Sequence, residues 1–280
     1  MYRIAKTLNH NSFIGVEEES NQEYLIMGKG IAFGKKAGQR MQPDGDARVY
    51  SLTEITERGN AKSIVKEVSP VSLELASAVL DQAEKEFGKI DRSIVFPMAD
   101  HLDFAIRRIQ NGEQISNPLT DDIRVMFYKE YKVASCIEEL LWERLQIRID
   151  EHEIGYLALH VHSAIEEEKV SQAMEVARAV RESISLVEHI TGYTIDVMSL
   201  SYNRMMNHIR YMVARALSGE KLKVNMNDYM EVKFPEAFQM AQAVCDQVGK
   251  SLGVKLEEVE TGYLAMHIER VANDEREIEE

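Results

Sequence analysis

The chain has 280 residues, 45% hydrophobic and 29% charged, the proportions of an ordinary globular chain of two or three domains. Its longest apolar runs fall well short of the roughly 18 residues a membrane helix needs, and the start Met1-Tyr2-Arg3-Ile4-Ala5-Lys6 lacks the apolar core of a signal peptide. The net charge of −14 argues against coating nucleic acid, but residues 1–50 hold seven Lys/Arg against six Asp/Glu, +1 there and −15 over the rest, so a polyanion would dock on the N-terminal segment.

Residues 2–52 read as short strands joined by tight turns. Tyr2, Ile4 and Leu8 alternate with Arg3, Ala5 and Thr7, Asn9-His10-Asn11 makes a polar turn, and Ser12–Val16 and Tyr24–Met27 are further runs. Gly28-Lys29-Gly30 turns the chain into another apolar run, Ile31-Ala32-Phe33, and residues 48–52 close the sheet. Six of the fifteen glycines fall within the first 45 residues, as a small all-β module demands. About 50 residues bury too little surface to be secure alone, so the module is expected to dimerise or lean on a neighbour.

Residues 53–69 read as a connector or lead-in helix. After Pro70 the pattern turns helical and stays so. Leu73, Ala76, Leu80, Ala83 and Phe87 line one helix face before Gly88, and a second helix runs from about Asp91 through His101 to Ile109. Pro118, Tyr131 and Asp150 mark later starts, with Asp150 and Glu153 as a capping box. The acidic run Glu166-Glu167-Glu168 is followed by helices near 171–190, 196–218, 225–232, 235–251 and 256–275.

The helical part is a repeat. Gly155-Tyr156-Leu157-Ala158-Leu159-His160 recurs as Gly262-Tyr263-Leu264-Ala265-Met266-His267, shifted by 107 positions. Residues 101–160 and 208–267 align without a gap at 16 of 60 identities. The shift also carries His101 onto His208, so each copy holds one pair of histidines.

Three readings compete for those histidines. A lone histidine on an amphipathic helix is usually a core or rim residue, and duplication would preserve that too. Metal ligation suits the geometry poorly: His160 and His162 point about 200° apart on a helix, and His152 lies about 12 Å along the axis from His160. A metal-dependent hydrolase would need bound zinc. Phosphoryl acceptance fits better, because neutral imidazole offers a lone pair near neutral pH. Arg108 and Arg215 follow His101 and His208 by seven residues, and guanidinium forks suit phosphate oxygens, although they equally suit surface carboxylates. Tyr156 and Tyr263 precede His160 and His267 by four and can pack on or hydrogen-bond those rings. Asp100 and Asp103 flank His101, where the second copy has Asn207 and Arg210, so the two sites need not respond alike. Cys136 and Cys245 are unrelated by the repeat and read as buried free thiols of a cytoplasmic protein.

The segment Gly28–Lys36 fails both nucleotide-loop templates, since Gly34 is one place too far for G-x-G-x-x-G and no Gly-Lys-Ser/Thr follows. On a small sheet it suits RNA: Phe33 for stacking, Lys29, Lys35 and Lys36 for phosphates, Asn9 and Asn11 for base edges. It also reads as a β-turn with solvated lysines.

Together Ile4-Ala5-Lys6, Asn9, Asn11, Met27–Phe33 with Lys35-Lys36, Asp100-His101, Phe104-Ala105-Ile106, Leu157–His160, His208 and His267-Ile268-Glu269-Arg270 resemble one family across roughly residues 1–275, the bacterial sugar-operon transcriptional antiterminators of the BglG/SacY type. The resemblance implies a multidomain β-then-α chain: an antiparallel co-antiterminator RNA-binding and dimerisation module (1–56) and two homologous all-α bundles, phosphotransferase-system regulation domains at 64–168 and 170–280. It implies an RNA hairpin bound through Lys6, Asn9, Asn11, Gly28, Lys29, Gly30, Phe33, Lys35 and Lys36. It further implies phosphate on His101, His160, His208 and His267 from HPr or a sugar-specific enzyme II, with Asp100, Arg108, Arg215, Tyr156 and Tyr263 in support, a homodimer, and no enzyme activity, cofactor or metal. His10 stands where a third asparagine is common, and Lys29 where arginine is frequent. A DNA-binding regulator with the same regulation domains is the alternative, disfavoured by the β-rich start.

Overall fold

The computed structural model describes residues 1–56, 59–166 and 168–279; Glu57 and Arg58 of the expected connector, Glu167 of the acidic run and the terminal Glu280 lie outside the described residues. The chain forms two compact units: Met1–Ser116 with Lys129–Val170, and Asn117–Tyr128 with Ser171–Glu280.

The first unit opens with β1 (Tyr2–Asn9), β2 (Ser12–Glu17), β3 (Glu23–Met27), β4 (Arg40–Met41) and β5 (Arg48–Ser51). They make one antiparallel sheet in the order β4-β1-β2-β3-β5. Alternation along the strands gathers Ile4, Phe13 and Ile26, with Ala32, into a core flanked by Tyr2, Tyr24, Ile31 and Met41. Gly15 lets this core close in, since a Cβ there would lie 2.9 Å from Ile26 Cδ1 and 3.1 Å from Phe13 Cε2, so those side chains would have to shift. Ile31–Phe33 forms successive turns and no strand: Ile31 N–H donates to Gly28 O and Phe33 N–H to Gly30 O, while Gly30 and Gly34 take φ of +67° and +68°.

The connector holds β6 (Ile55–Thr56), β7 (Gly59–Asn60) and α1 (Ala61–Glu67), the last capped by the Asn60 side chain. Next come α2 (Pro70–Phe87), a 3-10 turn at Arg92–Ile94 and α3 (Val95–Gln110). Ser69 caps α2 by accepting from Val71 and Ser72 N–H, Pro70 sits in its first turn, and Gly88 ends it at φ +85°. The sheet leans on these helices. Tyr50 of β5 packs edge-on against Phe96, its hydroxyl lies 3.0 Å from Ser77 Oγ, and Arg92 donates to it at 2.9 Å.

The helix expected from Tyr131 is two, α5 (Tyr128–Ala134) and α6 (Ile137–Leu145), separated at Ser135, whose hydroxyl donates back to Tyr131 O at 2.9 Å. The first unit closes with α7 (Glu151–Ile165).

Between α3 and α5, α4 (Thr120–Met126) leaves the first unit and packs in the second, beside α8 (Val170–Thr191) and α9 (Leu200–Ser218). There Tyr202 donates to buried Asp122 at 2.6 Å, Arg181 approaches the same carboxylate at 3.9 Å, and Arg210 stacks over Phe127. The repeat equivalent of α4 is α10 (Asn227–Lys233), followed by α11 (Pro235–Leu252) and α12 (Glu260–Glu279). Asn227 accepts from Gly262 N–H and donates to Glu258 O, and a Cβ on Gly262 would lie 2.7 Å from Asn227 Oδ1.

Candidate nucleic-acid interface and histidine sites

At one end of the sheet the β1–β2 turn meets the turn after β3, and backbone pairing explains why. Asn11 O accepts from Gly28 N–H, and Asn11 Oδ1 accepts from Gly30 N–H at 2.8 Å. Asn9 Oδ1 in turn accepts from Asn11 N–H and Ser12 Oγ. The two asparagines therefore bring Gly28, Lys29 and Gly30 beside them. Phe33 is 68% exposed and packs at right angles to the His10 ring, 5.2 Å between ring centroids. Lys6, Lys29, Lys35 and Lys36 are all exposed. The nine expected RNA contacts thus combine an aromatic face, four ammonium groups and two amides.

The amide donors, however, are occupied. Asn9 Nδ2 donates to Glu74 Oε1 at 2.6 Å, and Asn11 Nδ2 lies 3.3 Å from both oxygens of the same carboxylate. Glu74 comes from α2 and also pairs with Arg144 of α6. A groove of about 960 Å³ opens here, lined by Asn11, Lys29 and Arg48 on the sheet side and Glu74, Asp81 and Arg144 on the helix side. Arg48 is tied to Asp81 and Glu84 at 3.0 and 2.9 Å. Sequence reading missed Glu74 and Arg144; nothing in their spacing marks them.

In the first unit His101 of α3 faces His160 of α7, ring centroids 5.6 Å apart. Both are buried, at 8% and 4% exposure. Tyr156 packs on His101 at 5.5 Å, so this tyrosine serves the first histidine across the helix pair as well as sharing a helix with the second. Arg108 pairs with buried Glu153 and stacks over Phe104. Glu153 Oε2 lies 3.1 Å from His101 Nε2, off the line of a hydrogen bond. Burial alone would raise the Glu153 carboxyl, but His101 and Arg108 outweigh it and hold it below its usual range.

Two expectations change here. Asp150 caps α7 by accepting from Glu153 N–H at 3.0 Å, but the Glu153 side chain turns to the histidine site and does not close a capping box. Asp103 accepts from Ser69 N–H and Ser72 Oγ and pairs with Arg107 at 2.6 Å. It fastens α2 to α3, and the carboxylate facing the imidazole is Glu153. Asp100 lies half-buried on α3 beside His101.

The second unit repeats the constellation. His208 of α9 and His267 of α12 have centroids 4.8 Å apart, and Tyr263 stacks over His208 at 6.3 Å. Arg215 grips Glu260 with a fork, Nε to Oε1 and Nη2 to Oε2 both at 2.7 Å, and His208 Nε2 lies 3.9 Å from Glu260 Oε2. The His208 side chain is no more exposed than that of His101, 10% each, and His267 is half-buried. Burial, then His267 and Arg215, push the His208 imidazole down to about 3; burial, Arg270 and Arg204 also lower His267. Both rings are therefore neutral, and His208 Nε2 is buried without a hydrogen-bond partner. That is the state a nucleophilic imidazole requires.

Other expected features have structural partners. His162 sits between Glu130 and Glu168, each 3.1 Å away; burial opposes its protonation, but the two carboxylates outweigh burial and raise it. Cys136 is half-buried and not buried as expected, Cys245 is buried, and both are free thiols pushed up to about 11 by burial. No helix among the described residues is long and apolar enough to cross a membrane.

The chain matches known proteins along most of its length. A family profile described as PRD domain matches residues 58–164 and 181–271, and one described as CAT RNA binding domain matches residues 2–58. The chain is 28% identical over 273 residues to a GlcA/glcB genes antiterminator of Staphylococcus carnosus (strain TM300), covering 95% of this chain and 94% of that protein. It is 25% identical over 273 residues to the transcription antiterminator LicT of Bacillus subtilis (strain 168), covering 96% and 98%. A crystal structure of GlcT CAT-PRDI aligns with TM-score 0.50 and 26% identity, over 59% of this chain and 98% of that one.

Proposed function

The chain belongs to the family of antiterminators that join an N-terminal CAT RNA binding domain to PRD domains, and we propose that it binds an RNA hairpin in the leader of a sugar-utilisation operon and prevents the overlapping terminator from forming. The RNA module would span residues 1–56 and the regulation domains 64–168 and 170–280. The observation that carries the reading is the joining of Asn9 and Asn11 to the Gly28–Gly30 turn, beside exposed Phe33 and four exposed lysines. Amides address base edges, an aromatic face stacks an unpaired base, and ammonium groups follow the backbone. Glu74 is the group that RNA displaces from the amides.

Control falls to His101, His160, His208 and His267, which accept phosphate from HPr or a sugar-specific enzyme II. Arg108 and Arg215, Tyr156 and Tyr263 support the sites, and Asp100 distinguishes the first. Adding a group of about −2 charge beside these arginines changes which contacts the helices keep. The neutral pair in the second unit favours acceptance there. The protein acts as a cytoplasmic homodimer and performs no catalysis. The test is retardation of its own leader RNA by the full chain at low salt; absence of binding overturns the reading, and tighter binding to duplex DNA replaces it with a DNA-binding regulator.

A further inference from the structure

The same carboxylate appears at both histidine sites. Glu153 and Glu260 are related by the 107 shift, stand seven residues before His160 and His267, and are 1% and 3% exposed. Each binds the arginine placed seven residues after the first histidine, and each points an oxygen at that histidine's Nε2, at 3.1 and 3.9 Å. The surroundings differ: Asp103 in one copy is Arg210 in the other. The glutamate, arginine and histidine arrangement persists regardless, so it is not a by-product of neighbours.

A buried carboxylate paired with a guanidinium, through both oxygens at Glu260 and through one at Glu153, resembles a bound phosphoryl group in bearing negative charge on oxygens aimed at the arginine. We propose that Glu153 and Glu260 are positioning residues of the two sites: each keeps its arginine beside the first histidine in the unmodified protein and releases it to the phosphoryl group once that histidine is modified. This rests on the reading of the histidines as phosphoacceptors.

The exchange follows from space and charge. Transfer from a phosphohistidine on a donor protein forms a bond between phosphorus and Nε2 of His101 or His208. The donor's P–N bond breaks with its electron pair returning to the donor nitrogen, and the proton that the acceptor ring gives up is matched by the one the donor ring takes up. Separations of 3.1 and 3.9 Å between Nε2 and the carboxylate oxygen leave no room for phosphorus and its oxygens. Two anions in contact in a poorly hydrated cleft repel strongly, and arginine cannot relieve them by losing its proton. The carboxylate therefore yields its place, and the fork closes on phosphate. In the first copy an alternative seat exists. Glu153 is the third residue after the cap Asp150, the position from which a capping-box glutamate reaches back to the cap's own N–H.

The test uses the full chain with phospho-HPr, regenerated by enzyme I and phosphoenolpyruvate, and measures phosphate on His208 by peptide mapping at alkaline pH. Glu260→Gln, which keeps the side chain's shape, removes the competitor and raises His208 occupancy about threefold or more, a gain that Arg215→Gln cancels in the double variant. The 15N signal of Arg215 Nε moves on phosphorylation of the wild type, a readout that a merely structural Glu260 would leave still. Normal occupancy in Glu260→Gln, or a gain that survives in the double variant, overturns the positioning role while leaving the acceptor reading intact. Wild type that takes no phosphate on any of the four histidines overturns both.

Discussion

The side-chain amide of Asn9, on the first β-hairpin, donates to Glu74 Oε1 of α2 at 2.6 Å. Asn11 shares that carboxylate and Arg144 neutralises it, so the helices hold the amides proposed to read RNA. Glu74→Ala frees both amides. Hydrogen bonds to a charged group contribute about 1.5–3 kcal/mol each, of which a competing RNA recovers part, so leader RNA should bind the full-length variant about tenfold more tightly. Fluorescence anisotropy at fixed salt measures this; unchanged or weaker binding would mean that Glu74 does not compete with RNA.

The two kinds of RNA contact separate by salt. Lys29 is exposed beside the Gly28–Gly30 turn, and Lys29→Ala should weaken binding to all RNAs and lower the dependence of log K on log salt by about one counterion. Asn11 holds the Gly30 N–H as well as facing the groove. Asn11→Ala should leave the salt slope unchanged, lose discrimination against altered hairpins, and destabilise the module by about 1–2 kcal/mol.

The second unit depends on a buried pair outside its own repeat copy. Tyr202→Phe leaves Asp122 Oδ1 with Arg181 at 3.9 Å, in a place where burial already raises the Asp122 carboxyl. The expected loss is about 1–3 kcal/mol. Hydrogen exchange should show it in residues 117–128 and in α9 together. Protection lost from α9 alone would mean that α4 belongs elsewhere.

Opposite pH trends are expected from the two units. His208 is depressed when folded, so its neutral form costs nothing above the unfolded value of about 6.5, and stability falls as pH drops from there toward about 3. His162 is raised, so its contribution is complete below the unfolded value and is lost as pH rises through the folded one. Trp142, the single tryptophan, reports the first unit. Urea unfolding followed at Trp142 should weaken with rising pH in wild type and lose that trend in His162→Gln. Hydrogen-exchange protection in α9 and α12, corrected for the slower intrinsic exchange at lower pH, should fall between pH 6.5 and 5, less so in His208→Gln.

Much of this architecture was readable from the chain, and the misses have physical reasons. The 107 shift brought out the four histidines, Arg108, Arg215 and both tyrosines, because duplication preserves spacing. It also carried Glu153 onto Glu260, but a glutamate three residues after an aspartate reads as a helix cap until the facing helix is known. Glu74 has no such signal: an acidic residue on an amphipathic helix looks solvated whether or not a hairpin lands on it. Periodicity located α4 without its neighbours, since an apolar stripe says that a face is buried and not against which element. Ile31–Phe33 was legible as an apolar run but not as turns, because composition does not show that Gly30 and Gly34 take positive φ.

Phosphate on these histidines is proposed to govern RNA binding by the sheet. The most direct measurement is the affinity of the full chain for its own leader RNA before and after incubation with enzyme I, HPr, the cognate enzyme II domain and phosphoenolpyruvate. The affinity should shift on phosphorylation, and the shift should disappear when His101, His160, His208 and His267 are all replaced by alanine. RNA binding that is identical with and without phosphate, or a shift that persists in the quadruple variant, would contradict it.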